Sequence, residues 1–221
     1  WPKVEDVLRH VDAIEARVHS GNVDALVNGC SLIVDGSDNL PTRYLLSDAA
    51  VKHGVPLVYV NQFGGNDDLV FDGRSCGFSA SGSPLARAAS FEADVVVCDT
   101  TSTTSAGPAV DLVAESEIWR ALVLGTRDYA RKCRFARVVL GLSGGIDSAI
   151  TAAIAAEALG PQNVLGVLMP SPYSSQGSID DSLELARNLG IDTLTLPIEP
   201  AMRAMEGTLA DAFAGTTPDV T

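Results

Sequence analysis

Ser143-Gly144-Gly145-Ile146-Asp147-Ser148 is the stretch whose residue types and spacing could do chemistry. Two adjacent glycines permit backbone angles closed to other residues and let a ligand come close to the main chain. The run after them, Ala149-Ile150-Thr151-Ala152-Ala153-Ile154-Ala155-Ala156, favours helix. The loop therefore opens a helix N-terminus, where free N–H groups and the positive dipole end attract anions. Ser143 and Ser148 add hydroxyl donors. Asp147 repels a bare phosphate, so its chemistry suits holding a Mg2+ that bridges phosphate oxygens. The competing reading is a plain turn in which Asp147 and Ser148 cap the helix. The context favours a phosphate site, because Val138-Val139-Leu140-Gly141-Leu142 ahead of the glycines reads as a buried strand. No Gly-Lys-Ser/Thr follows, so the loop is not of the Walker A type.

The elements that must position this loop alternate in kind. Residues 117–132 read as a helix with its basic residues at the C-terminal end, where the dipole favours them. Residues 164–170 form a second apolar strand, 171–178 a loop, 180–189 a helix ended by Gly190, and 193–198 a third strand. Such alternation implies right-handed βαβ units and a parallel sheet, with ligands outside the carboxyl ends of the strands. The glycine loop and residues 169–175 both fall at that edge. Ser174 and Ser175 are candidates to line a pocket there, with loop capping as the equal alternative.

The first half reads differently. Residues 4–18 carry helical apolar spacing, and residues 24–31 read as a buried strand running into a turn. Residues 41–53 form a helix ended by Gly54, and 55–61 a strand. Residues 62–68 read as a loop, 69–73 as extended with a turn at Asp72-Gly73, 74–81 as extended, and 91–98 as a strand. Strands joined by a short turn predict antiparallel pairing in this half. The polar, punctuated residues 100–116 read as a linker.

Composition narrows the function classes. A net charge of −13 argues against nonspecific binding to nucleic acid or an anionic membrane. No apolar run approaches the ~20 residues that span a bilayer, and no signal peptide is visible. Cys30, Cys76, Cys98 and Cys133 are scattered without a zinc signature or disulfide framework, which makes a reducing cytoplasm the default. Cys30 reads as a small apolar residue, because no activating histidine constellation accompanies it. Trp1 opens the chain without an initiator methionine, so an internal piece of a longer protein is expected.

The glycine loop resembles the Ser-Gly-Gly-x-Asp-Ser pyrophosphate loop of the ATP pyrophosphatases. Gly141 to Ser148, with Met169-Pro170-Ser171, Tyr173-Ser174-Ser175 and the preceding Leu124-Gly125-Thr126-Arg127-Asp128-Tyr129, is similar to the synthetase domain of glutamine-dependent NAD synthetases. Tyr59-Val60-Asn61-Gln62-Phe63-Gly64-Gly65-Asn66-Asp67-Asp68-Leu69-Val70-Phe71-Asp72-Gly73-Arg74-Ser75 resembles the nitrilase-type amidohydrolase domain fused to them. The resemblance implies the C-terminal part of a nitrilase-like αββα sandwich over residues 1–105 and a linker over 106–116. A Rossmann-like parallel α/β ATP-pyrophosphatase domain, adenine nucleotide alpha hydrolase-like, is implied over 117–221.

It further implies ATP, Mg2+, glutamine and deamido-NAD as ligands. The reaction implied is ATP-driven adenylation of deamido-NAD and amidation with ammonia taken from glutamine. ATP contacts would fall to Gly141, Leu142, Ser143, Gly144, Gly145, Ile146, Asp147 and Ser148, with Asp147 on the metal. Ser31 and Arg43 are the glutamine-site candidates, although Arg43 lies later than the family pattern places its arginine. The glutaminase nucleophile would lie upstream of Trp1, and later synthetase elements past Thr221, so the chain alone is expected to be inactive. A homo-oligomer is the family expectation. A GMP synthetase-like amidotransferase and a non-catalytic nucleotide-binding module are the alternatives.

Overall fold

A computed structural model describes residues 11–102, 104 and 113–216. In chain order the first elements are α1 (Val23–Val27), β1 (Ile33–Asp35), α2 (Leu40–His53) and β2 (Leu57–Tyr59). Then come β3 (Phe63–Asn66), β4 (Leu69–Asp72), β5 (Cys76–Phe78) and β6 (Pro84–Arg87). After them follow α3 (Ala114–Lys132), β7 (Val138–Leu142), α4 (Ile146–Leu159), β8 (Val164–Leu168), α5 (Gln176–Leu189), β9 (Asp192–Thr195) and α6 (Glu199–Leu209). The described residues divide into two units. One holds those up to Gln62 and those from Asp72 to Thr104; the other holds Phe63–Phe71 and everything from Val113 onward.

In the first unit α2 has explicit end signals. Asn39 accepts a hydrogen bond from the Thr42 N–H at 2.9 Å, Pro41 sits in the first turn, and Gly54 closes the helix. The helix crosses between β1 and β2, which pair in parallel, while β2–β5 and β5–β6 pair antiparallel. Within this sheet the antiparallel expectation therefore holds for β2, β5 and β6, and β1 departs from it. Residues 24–31 were expected to form a strand, but Val23–Val27 is helix and the strand begins at Ile33. Val23 and Val27 lie one helical turn apart and are buried together with Ile33, Ala49, Ala50, Val55 and Leu57. Asp24 between them accepts hydrogen bonds from Lys52 and from His53 Nε2, the latter at 2.9 Å, at the end of α2. The Lys52 bond and then the His53 bond hold its carboxyl below the usual carboxylate range.

Three further expectations fail in this half. The helical spacing over 4–18 falls partly outside the described residues, and residues 11–18 form no helix. Val11 and Ile14 are exposed, and an apolar stripe without a surface to bury it gives a short helix little stability. Residues 91–98 form no strand, because Val95 and Val97 are 95% and 91% exposed and no ladder pairs with them. Residues 62–68 are not a loop: β3 and β4 make a two-stranded hairpin whose turn lies at Asp67-Asp68, with Asp67 at φ 51°.

The second unit contains a three-stranded parallel sheet in the order β7-β8-β9. Its register sets Leu142 beside Leu168, and Leu168 beside Thr195, so the carboxyl ends of the strands share one edge. The alanines of α4 make its tight approach to the sheet possible: Ala152, Ala155 and Ala156 are buried with Leu142, Val164, Leu168, Ala186 and Ile191. Gly166 in β8 leaves space that the Leu142 side chain fills, since a Cβ there would stand 2.5 Å from Leu142 Cδ1. Residues 106–112 of the expected linker lie outside the described residues, and α3 begins already at Ala114. The mixed α/β architecture with a parallel sheet agrees with expectation. Among the described residues no helix is long and apolar enough to cross a membrane.

Leu168, 2% exposed at the centre of this core, provides the check on the packing. Leu168→Ala is expected to cost about 2–5 kcal/mol in urea denaturation. Leu194→Ala, at an exposed position in β9, should stay within about 0.5 kcal/mol. Equal effects would place the core elsewhere.

Candidate functional site

β7 delivers the chain to Ser143 at the carboxyl edge of the sheet, and α4 starts at Ile146 with Gly145 as its N-cap. Gly144, at φ +78°, makes the turn between them. A Cβ at Gly144 would lie 2.5 Å from the Ser178 carbonyl oxygen and 2.6 Å from Ser178 Cα, so both its conformation and its surroundings demand glycine. The backbone of the loop is thereby pressed against the start of α5.

No side chain caps α4. Neither Asp147 nor Ser148 stands at the N-cap, and among the described residues no side chain is seen to accept from the first-turn N–H groups. The two loop serines hold the loop itself. The Ser143 N–H donates to Ser148 Oγ at 3.2 Å, and the Gly145 N–H to Ser143 Oγ at 3.3 Å. Ser148 Oγ donates to the Gly145 carbonyl at 2.9 Å, and the two hydroxyls are 3.1 Å apart. Asp147 is exposed in the first turn of α4.

Two cavities flank the loop. One, of about 270 Å³, is lined by Gly141 and Ser143 of the loop edge, Met169 and Pro170 past β8, and Ser174 and Ser178. The other, of about 370 Å³, lies against Gly144, Gly145, Ile146 and Ala149, with Asp181 and Ser182 of α5 opposite. Among the described residues no lysine or arginine lines either cavity. An anion bound here would rest on backbone N–H groups, hydroxyls and a bridging cation rather than on basic side chains. Among the described residues no three His, Cys, Asp or Glu side chains gather as a metal cage.

The structure separates the two serines of the second loop. Ser174 lines the smaller cavity and accepts from the Ser171 N–H at 3.0 Å. Ser175 instead caps α5, accepting from the Ser178 N–H at 3.1 Å. Ser178, Asp181 and Ser182 were not anticipated as site residues. The usable signal was the start of a helix directly after a strand-end loop, where Ser178 and Ser182 stand one turn apart.

In the first unit, Ser31 is exposed in the turn between α1 and β1. Arg43 lies in the first turn of α2, where Nε and one terminal nitrogen donate to the Ser37 carbonyl at 3.1 and 2.8 Å. Its guanidinium sits over the Tyr59 ring at 4.4 Å. Burial pushes the Tyr59 phenol above its ordinary value. Among the described residues no hydrogen bond joins Ser31 to Arg43. Cys30 is exposed, with its thiol 3.5 Å from the Leu26 carbonyl.

Residues 118–218 match the family model described as NAD synthase. Over 174 residues the chain is 49% identical to the glutamine-dependent NAD(+) synthetase of Synechocystis sp., covering 76% of this chain and 31% of that protein. Its counterpart in Rhodobacter capsulatus is 50% identical over 185 residues, with 81% and 34% covered. Among solved structures, the glutamine-dependent NAD+ synthetase of Acinetobacter baumannii, in complex with adenosine diphosphate, superposes with a TM-score of 0.75. It is 33% identical, over 90% of this chain and 40% of that one. The chain thus spans about a third of the length of the curated relatives it matches.

The loop geometry makes a sharp demand at Gly144. Gly144→Ala is expected to lower stability by about 1–3 kcal/mol in urea denaturation, the usual cost of a strained backbone position. Gly177→Ala, with no atom nearer than 3.9 Å to the added Cβ, should be neutral or stabilising. A Gly144→Ala protein as stable as the wild type would show that the loop does not press on Ser178.

Proposed function

We propose, for a chain whose residues 118–218 belong to the NAD synthase family, that the glycine loop binds the phosphates of ATP during glutamine-dependent NAD synthesis. The observation that carries this reading is the uncapped N-terminus of α4 opening between two cavities at the carboxyl edge of the sheet. A nicotinate carboxylate oxygen of deamido-NAD attacks the α-phosphorus of ATP, and the bond from that phosphorus to the bridging oxygen breaks. Pyrophosphate leaves with the electron pair. The Gly144 N–H and the first-turn N–H groups of α4 receive its developing charge, and the Gly145 N–H with the Ser143 and Ser148 hydroxyls joins them by exchanging the bonds that hold the loop. Ammonia then attacks the activated carbonyl, the carbonyl carbon–oxygen bond to AMP breaks, and the surplus proton leaves the nitrogen. Asp147, a hard oxygen donor exposed at the loop, would hold Mg2+, which supplies charge neutralisation to the phosphate oxygens.

The first half of the chain is read as the C-terminal part of a nitrilase-like domain that frees ammonia from glutamine. The proposed division is 1–105, 106–116 and 117–221, except that residues 63–71 belong with the second unit. Arg43 offers a cation suited to the carboxylate of glutamine, and Ser31 a hydroxyl. The same reading makes the whole protein a cytoplasmic homo-oligomer. Its cysteines are free among the described residues, which supports a reducing compartment.

Calorimetry with Mg2+-ATP tests the assignment. Asp147→Ala should weaken binding about tenfold or more, equivalent to about 1.4 kcal/mol, and the difference should vanish when EDTA removes the metal. Equal affinities in Mg2+ would take Asp147 out of the metal role. A folded chain that binds no ATP at all would remove the loop from nucleotide binding.

A further inference from the structure

Asp128 is a carboxylate only 6% exposed within α3, and the reaction described above does not use it. A buried charge is costly unless it is paired and hydrogen-bonded. Its partners are specific. Oδ2 accepts from the Gly65 N–H of β3 at 2.9 Å, and Oδ1 lies 3.4 Å from the guanidinium of Arg131. Lys132, one turn on from Asp128, donates to the Gly65 carbonyl and, at 3.3 Å, to Asn66 Oδ1. Both backbone polar groups of Gly65 are therefore taken by side chains of α3.

Small residues make this grip possible. A Cβ on Gly65 would stand 3.1 Å from Gly125 Cα, and one on Gly64 would stand 2.9 Å from Asp128 Oδ2. A Cβ on Gly125 would meet Val70 Cγ2 at 3.2 Å. The hairpin thus lies backbone to backbone on α3. Residues 63–71 belong to the second unit, although the chain on either side of them, in β2 and β5, runs in the sheet of the first.

We propose that Asp128 and Lys132 form a clamp that holds the β3–β4 hairpin on α3 and couples the glutamine-driven step to amidation. This rests on the function proposed above. The physical reason is continuity: the hairpin is fixed to α3 by charge-assisted bonds and tied at both ends, at Gln62 and Asp72, to the chain of the first unit. Asp128 is a positioning residue and touches no reacting atom.

The test uses the whole protein and compares NAD formed from glutamine with NAD formed from free ammonia. Asp128→Ala should lower the glutamine-driven rate about tenfold, an ordinary size for coupling between sites. The ammonia-driven rate should stay within about twofold. Asp128→Asn retains an oxygen to accept from Gly65 and should restore most of the glutamine-driven rate. Both rates falling together, or neither changing, would overturn the clamp. Hydrogen exchange separates failure of the clamp from failure of the functional reading. Asp128→Ala should speed exchange at the Gly65 amide, and unchanged protection there overturns the clamp whatever the activity. A wild type that forms no product from ammonia would overturn the functional reading instead.

Discussion

A chain that leaves a parallel strand for a helix must turn without its own backbone obstructing what binds at the turn. Here that constraint falls on Gly144, where the left-handed angle and the Ser178 carbonyl leave no room for a Cβ. The rest of the site depends on it. Because the turn is made by glycines, the N-cap of α4 carries no side chain of its own, and the serines on either side reach its backbone instead. Because the loop presses on α5, the serines of that helix come to line the same space.

The second consequence concerns charge. A chain with a net charge of −13 has little long-range attraction for an anion. Among the described residues no basic side chain lines the two cavities beside the loop, so what faces them there is local: peptide dipoles, hydroxyls and the Asp181 carboxylate. The same economy of side chains appears at the hairpin, where Gly64, Gly65 and Gly125 allow one carboxylate and one ammonium to reach the main chain.

The two halves differ in how far they could be read. From residue 117 onward every expected strand and helix is present, with ends moved by a few residues. The periods are unambiguous there, and punctuating residues such as Gly190 stand where the backbone needs them. In the first half the short apolar run around Val23–Val27 fits a strand or a helix equally well. Burial of Val23 with Val27, and the pairing of Asp24 with the end of α2, decided for helix. The glycines and acids of residues 62–68 signal a loop by composition, yet contact with α3 made half of them a strand. Residues 91–98 carry strand propensity but find no ladder.

By itself, then, the sequence determined the strand–glycine–helix loop, the alternating order of elements around it and the residue types available to a phosphate. Those are local properties, set by φ freedom, helix propensity and spacing within a few residues. Only the tertiary structure decided that Ser178 and Ser182 line the cavities beside the loop, that Ser175 caps a helix instead, and that the hairpin belongs with α3. These depend on residues tens of positions apart, such as Asp128 and Gly65. Such contacts form only when packing supplies an alternative to water for buried polar groups.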